Sequence, residues 1–281
     1  RFGAWSKDGT QIVYTSNERN SVDFDVYLMD IGTGQSSLLT ESTGNRAIVA
    51  WSPDGAQLLQ IEAVASEQIE LYLVDLNSGN EQHITAGQPQ ARYFATKWTT
   101  NGIYCLSDRE YDTSALCQLD LQTASLNTIL SADQLLQNHP EKKGELFSLS
   151  IAPDEINAVV GLNVEGYIYL YSVNLATGDA REITGLPAGM ISTAKFGESA
   201  DRFVCAIQTP TQNPDIWLIE PPAQNDHETT LQQLTFSNYA GVDQSTFVAP
   251  RLIRFSTFDE LQIPAFYYQP QTPPPDGGYP C

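Results

Sequence analysis

The sequence predicts an all-β fold, a β-propeller of four-stranded antiparallel blades, and three observations carry that prediction. One phrase returns five times, the same segments follow it each time, and none of those segments has the three-to-four-residue spacing of a helix. The phrase reads Trp5-Ser-Lys-Asp-Gly9, Trp51-Ser-Pro-Asp-Gly55, Trp98-Thr-Thr-Asn-Gly102, Ile151-Ala-Pro-Asp-Glu155 and Phe196-Gly-Glu-Ser-Ala-Asp201. Its anchors at 5, 51, 98, 151 and 196 are 46, 47, 53 and 45 residues apart. A period in the forties is that of a propeller blade.

Within a copy, the phrase itself is a turn. In Ser52-Pro53-Asp54-Gly55, proline presets φ at the second position of a type I turn, and glycine accepts the left-handed conformation that follows. A first apolar run comes next: Ile12-Val-Tyr14, Leu58-Leu-Gln-Ile61, Ile103-Tyr-Cys105, Ala158-Val-Val160 and Phe203-Val-Cys205. After a polar loop a second run follows: Asp25-Val-Tyr-Leu-Met-Asp30, Glu70-Leu-Tyr-Leu-Val-Asp75, Ala115-Leu-Cys-Gln-Leu-Asp120, Tyr167-Ile-Tyr-Leu-Tyr171 and Asp215-Ile-Trp-Leu-Ile219. Most copies then turn at glycine (Gly34, Gly79, Gly178) and close on Leu39-Thr40, Ile84-Thr85, Ile183-Thr184 or Leu234-Thr235. Several runs are apolar almost without alternation, as strands are when both sheet faces are covered. Radial stacking of blades covers both faces and manages the sheet edges. The long gap of 53 comes from segment 129–149, where Ser131 is placed to N-cap a short helix with Gln134 three residues on, an insertion on the rim.

Composition narrows the function classes. The chain has 281 residues, 41% of them hydrophobic, and no apolar run near the roughly 20 residues of a membrane span, so no membrane partner is expected. With 34 Asp plus Glu against 14 Lys plus Arg, the net charge of -20 repels phosphate backbones, and no nucleic-acid partner is expected either. Four cysteines are scattered without a C-x-x-C pair. Cys105 and Cys117 fall on neighbouring strands of the third copy, Cys205 reads as core, and Cys281 ends the sequence. No charged-then-apolar leader follows Arg1, so a cytoplasmic location is expected.

A catalytic constellation is missing. The nearest approach to a nucleophile elbow, Gly197-Glu-Ser199-Ala-Asp201, has Asp where the second glycine is required and occupies the turn of the fifth copy. His83, His139 and His227 have no H-x-x-x-H partner, and no phosphate-binding glycine loop is present, so no metal and no cofactor are expected. Five-bladed propellers include glycosidases with acidic residues at the ring centre, so the carboxylates require separate treatment. Asp23 and Asp25, Glu67 and Glu70, and Asp108, Glu110 and Asp112 all fall in or beside the loop between the second and third strands, where solvated charge is ordinary. Asp108-Arg109-Glu110-Tyr111-Asp112 is the densest of these and the candidate substrate-contact segment.

The tail carries a further signal. Two strand-like runs within Ala249-Pro-Arg-Leu-Ile-Arg-Phe-Ser-Thr-Phe-Asp-Glu-Leu-Gln-Ile-Pro-Ala-Phe-Tyr-Tyr-Gln-Pro270 flank a turn at Asp259-Glu260, and Gln271-Thr-Pro-Pro-Pro-Asp-Gly-Gly-Tyr-Pro-Cys281 follows. This resembles the junction of the prolyl oligopeptidase family of serine peptidases, which includes acylaminoacyl and dipeptidyl peptidases. There, a blade ending in "L-T" leads to an "R-F-x-S-x-D-G-x-x-I-P-A" hairpin and on to the first core strand of an α/β-hydrolase. Phe255-Ser-Thr-Phe-Asp259 and Ile263-Pro-Ala265 fit the hairpin, Tyr279-Pro280 fits the core strand, and Glu260 replaces the usual glycine. The repeats alone look equally like those of TolB-type propellers.

The resemblance implies a propeller over residues 1–248 and the start of an α/β-hydrolase domain over 249–281, with Ser, Asp and His of the triad beyond Cys281 and this chain inactive alone. It also implies a larger ring, of seven or so blades, of which five copies are present. The expected partners are the chain's own hydrolase domain and a peptide substrate, with the propeller capping the active site and admitting peptides only. A free-standing TolB-like binding propeller and a five-bladed glycosidase are the alternatives.

Overall fold

Each copy folds as one antiparallel meander, and the recurrent phrase is the turn between its first two strands. The computed structural model describes residues 1–139, 142–221 and 229–271. His227, Tyr279-Pro280 and Cys281 therefore lie outside the described residues. The first sheet holds β1 (Phe2–Trp5), β2 (Gln11–Ser16), β3 (Asp25–Asp30) and β4 (Ser36–Thr40), and the second β5 (Arg46–Trp51), β6 (Gln57–Ala65), β7 (Gln68–Asp75) and β8 (Glu81–His83). The third holds β9 (Tyr93–Thr99), β10 (Gly102–Ser107), β11 (Ala115–Leu119) and β12 (Leu126–Ser131). The one-turn helix α1 (Ala132–Leu135) precedes the fourth: β13 (Gly144–Ile151), β14 (Asn157–Val164), β15 (Tyr167–Asn174) and β16 (Ala180–Glu182). In the fifth, the first strand is split into β17 (Met190–Ile191) and β18 (Lys195–Phe196), followed by β19 (Phe203–Thr209), β20 (Gln212–Glu220) and β21 (Thr230–Gln233). A two-stranded hairpin, β22 (Arg251–Ser256) and β23 (Gln262–Tyr267), comes last.

The turns show why Ser and Asp recur. Asp54 accepts from Ser52 Oγ (2.5 Å) and from the Ala56 amide (3.0 Å), and Ser52 Oγ accepts from the Gln57 amide (2.8 Å). Asp8 and Ser6 repeat the arrangement, and Ser199 donates to Asp201 in the fifth copy. These residues satisfy the turn backbone and are occupied by it. Between third and fourth strands a second device recurs, in which Asp30, Asp75 and Asp120 accept from Thr33, Ser78 and Thr123. The residue that follows is left-handed: Gly34 (φ 68°), Gly79 (φ 69°) and, in the third copy, Ala124 (φ 53°). A side chain in that region costs roughly 1 kcal/mol. Ala124→Gly is therefore expected to stabilise the chain by about 1 kcal/mol in urea unfolding.

Apolar burial lies between consecutive sheets. Val13, Val26, Leu58 and Val74 join sheets one and two; Leu59, Leu73, Ile103 and Cys105 join two and three. Leu106, Leu116, Leu149 and Val160 join three and four, and Val159, Leu170, Phe203 and Ile219 join four and five. First strands pack side by side around the arc, β1 on β5, β5 on β9, β9 on β13 and β13 on β18, so they are its innermost layer. Among the described residues no buried apolar cluster joins the fifth sheet to the first. The outer face of the first sheet carries Phe2, Ile12, Tyr14, Tyr27 and Met29 by register, with Tyr14 and Tyr27 stacked at 5.3 Å and Phe2 62% exposed. No other described sheet packs a buried apolar cluster against this face.

Two smaller expectations are met. Ser131 caps α1 in a full capping box, its hydroxyl accepting from the Gln134 amide (3.3 Å) while Gln134 accepts from the Ser131 amide (2.7 Å). Cys105 and Cys117 sit directly opposite one another on β10 and β11, both as buried free thiols, and Cys205 is core.

Candidate functional site

The loops between second and third strands gather at one end of the arc, and the hairpin docks there. Arg254 pairs with Glu165 (2.5 Å), which lies in the tight β14–β15 turn beside Gly166. Phe266 meets Tyr167 edge-on at 5.1 Å. Gly166 has φ 89°, and a Cβ there would stand 2.8 Å from the Phe266 ring. Glycine is needed at this position for both the backbone angle and the ring. Gly166→Ala is expected to lift the hairpin, read as faster hydrogen exchange of the 251–267 amides with exchange in the third sheet unchanged.

Two clefts flank the docked hairpin. One, about 210 Å³, is lined by Tyr167, Met190, Pro210, Pro250, Phe266 and Tyr268. The other, about 470 Å³ and more open, lies between the hairpin residues Pro264 and Phe266, the strand ends Lys143, Glu145 and Glu165, and Thr113. Through Thr113 the 108–114 loop reaches this second cleft.

The structure divides the candidate loop residues. The Asp108 carboxylate accepts from the backbone N–H of Arg92 (2.8 Å) and from its Nε (2.5 Å). Arg109 is directed inward, its guanidinium donating to the Ala124 carbonyl (2.7 Å) and Tyr93 Oη (3.3 Å), with its side chain only 5% exposed. Glu110 is exposed and touches Arg109 Nε at 3.1 Å, and Asp112 is exposed. Asp108 and Arg109 thus hold the loop in place, while Glu110 and Asp112 face solvent.

Other acids depart from the solvated-loop expectation. Asp25 is fully buried and takes both nitrogens of the Arg19 fork, at 2.7 and 2.9 Å, plus the Ser42 amide at 3.0 Å. Arg19 holds the Asp25 carboxyl below the usual aspartate range. In the second sheet the Leu71 amide donates to Thr85 Oγ1 (3.1 Å), and that hydroxyl donates to Glu70. The fifth sheet repeats it: the Ile216 amide donates to Thr235 Oγ1 and Thr235 Oγ1 to Asp215, both at 2.8 Å. In these two sheets an acid of the third strand thus latches the Thr that closes the fourth, whereas in the first sheet Asp25 takes the Ser42 amide instead.

One residue the sequence did not single out organises the loop end. Arg92, just before β9, lies 3.4 Å from Glu67, 2.5 Å from Asp108 and 2.9 Å from Glu145. Its partners come from the second, third and fourth sheets. Pairing with Asp108 raises its pKa above the ordinary arginine value. Among the described residues no group of three His, Cys, Asp or Glu is arranged to hold a metal ion.

Comparison with known proteins bears on what this assembly is. No family model matches the chain. Across 95% of its length it superposes on a prolyl endopeptidase from a study of inter-domain dynamics in catalysis and specificity, with TM-score 0.73 and 13% identity. The fold is that of a prolyl oligopeptidase propeller. Prolyl oligopeptidase B from Galerina marginata, bound to a 35mer hydrolysis and macrocyclization substrate, superposes with TM-score 0.74 at 14% identity, again over 95% of this chain. The chain spans 39% and 38% of those two prolyl oligopeptidase-type chains. In sequence, 83 residues (29% of the chain) are 32% identical to the Tol-Pal system protein TolB of Francisella tularensis subsp. mediasiatica, 19% of whose length they cover. TolB of subsp. holarctica is 33% identical over the same length. The propeller likeness to both groups matches the two resemblances drawn from the repeats and the tail.

Proposed function

We propose that this chain is the propeller portion of a prolyl oligopeptidase-type serine peptidase, and that it covers the active site of a hydrolase domain that begins within residues 249–281. The observation that carries the reading is the docked hairpin. Ser256 to Ala265 has the sequence expected of the family's inter-domain hairpin, and Arg254, Phe266 and Gly166 seat it on the loop end of the arc. The left-handed Glu260 (φ 66°) supplies the turn conformation for which that hairpin ordinarily has glycine. A domain continuing from β23 would meet the loop end, where the clefts and the 108–114 loop lie. Peptides would then reach the serine past these loops, and folded proteins would be kept out.

The test is an activity measurement on the full gene product with a fluorophosphonate probe and two substrates, a short peptide and a folded protein. Labelling of one serine outside residues 1–281, with cleavage of the peptide only, is expected. A gene product with no serine elbow, or one that takes no label, would overturn the reading. It would favour the TolB-like alternative, a binding propeller, for which the 83-residue similarity speaks.

The exposed acids of the loop whose Thr113 lines the cleft also favour peptides with a free amine in this reading. Because Asp108 is bound to Arg92, the informative variant is Glu110→Lys with Asp112→Lys. It is expected to narrow the preference for free over acylated N-termini; an unchanged ratio of kcat/KM values would remove the acids from the account. The glycosidase alternative needs paired carboxylates on the innermost strands. The only acid in those strands is Glu145, and Arg92 holds it.

A further inference from the structure

The insertion that stretches one gap to 53 residues folds against the rim of the fourth sheet and encloses a cavity of about 200 Å³ there. Leu135, Leu136 and Lys142 line it on the insertion side, with His139 beside them. Tyr169, Tyr171 and Glu182 line it from the sheet. Tyr171 and Glu182 stand directly opposite one another on β15 and β16, and Tyr169, two residues along β15, shares their face. The two walls are fixed to each other. Ala132 and Leu136 belong to the same buried cluster as Tyr171, and the capping box at Ser131 holds α1 in place.

The polar groups of this cavity lack partners. Tyr171 is only 9% exposed, yet its hydroxyl makes no hydrogen bond with any described residue. That hydroxyl is not sealed in the core, so it opens on the cavity that the residue lines. Burial, with Glu182 and Tyr169 adding to it, pushes the Tyr171 pKa up to about 12, so the group stays a donor at neutral pH. Half-buried Lys142 and exposed Glu182 form no ion pair, with one another or with any described residue. An ammonium, a phenol, a carboxylate and two leucines thus face one small space.

That set of groups selects its ligand. A carboxylate would take charge-assisted hydrogen bonds from Lys142 and Tyr171, and an ammonium would take Glu182 and the face of a tyrosine ring. A short apolar side chain would lie against Leu135 and Leu136. The volume is below the roughly 300 Å³ at which clefts for drug-sized ligands begin, so the cavity suits a small metabolite. The net charge of -20 repels a simple anion but not a molecule that carries both charges.

We propose that this rim cavity binds a small zwitterion, a free α-amino acid with an apolar side chain, its carboxylate on Lys142 and its ammonium on Glu182. The site uses residues of this chain alone and stands under either functional reading above.

Titration calorimetry on the full chain tests it with free leucine and free valine, and with leucinamide and N-acetylleucine, each of which lacks one of the two charges. The free amino acids should bind, and both derivatives should bind at least tenfold more weakly. Lys142→Met should abolish the advantage of leucine over leucinamide, and Glu182→Gln its advantage over N-acetylleucine. Both substitutions lie at the rim, so the unliganded variants should melt with the parent. Tyr171→Phe keeps the buried ring and should weaken leucine binding about tenfold. Lys7→Met, in the first turn, should change nothing. Three results would each overturn the proposal: no binding of either free amino acid, leucine affinity unchanged in both Lys142→Met and Glu182→Gln, or equal binding of leucine and either derivative to the parent chain. The last would make the cavity a pocket for an apolar side chain alone.

Discussion

Arg92→Met is expected to lower stability by about 3 kcal/mol and the unfolding temperature by roughly 5–10 °C. The reason is what remains behind. Asp108, with 16% of its side chain exposed, would keep its position without the guanidinium that compensates it, and Glu145 and Glu67 would lose the cation they share. Removing one member of a partly buried charge cluster costs more than the cluster contributes, because the uncompensated charge stays in place. The figure sits at the low end of the range for buried pairs because Arg92 itself is 27% exposed. Arg92→Lys should recover only part of the loss, since a single ammonium cannot reproduce the fork toward Asp108 and Glu145. The double variant Arg92→Met with Asp108→Asn should be milder than the sum of the single changes. If Arg92→Met unfolds at the parent temperature, the three-sheet bridge contributes nothing.

Asp25→Asn is the second large effect, expected to cost about 2 kcal/mol at neutral pH and to change the pH dependence of stability. Arg19 holds the folded carboxyl below its unfolded value. A depressed carboxyl contributes stability that is complete above the unfolded aspartate value, about 3.9, and is lost as pH falls through the folded one. Parent and variant should therefore differ most at neutral pH and converge in acid. Asp215 adds to the same acid limb: burial pushes its carboxyl up, but donation from Thr235 and Ser237 outweighs burial and leaves it lowered. Urea unfolding from pH 2.5 to 7 measures both, and a constant parent-to-variant difference over that range would contradict the assignment to Asp25.

The repeats were legible because blade geometry requires the same local chemistry five times. Ser52, Asp54 and Gly55 are needed for one turn, the apolar runs for two covered sheet faces, and Ser131 with Gln134 for one cap. Each of these depends on residues within a few positions of one another. The relation of Arg92 to Glu67, Asp108 and Glu145 does not, since it joins residues 25, 16 and 53 positions away across three sheets. Asp25, Glu70 and Asp215 fall between the two cases: their closing Ser or Thr partners recur at similar offsets, but a carboxylate at a loop boundary reads as solvated until the fourth strand is in place. Density of charge was the weaker guide at 108–112, where the two residues nearest the strand, Asp108 and Arg109, are consumed in holding the loop.

The acid latch is unevenly distributed, and that sets which edge frays first. In the first, second and fifth sheets a carboxylate ties the third strand to the segment that closes the fourth. The fourth sheet starts its third strand with Tyr167-Ile168-Tyr169, which offers no carboxylate, and its outermost strand β16 is three exposed residues long. Native-state opening should begin at that outer edge and spread inward, leaving the innermost strands protected longest. A brief, charged outer strand of Ala180, Arg181 and Glu182 is also a poor template for pairing with another chain, so the edge that opens most readily is the one least able to recruit a foreign strand.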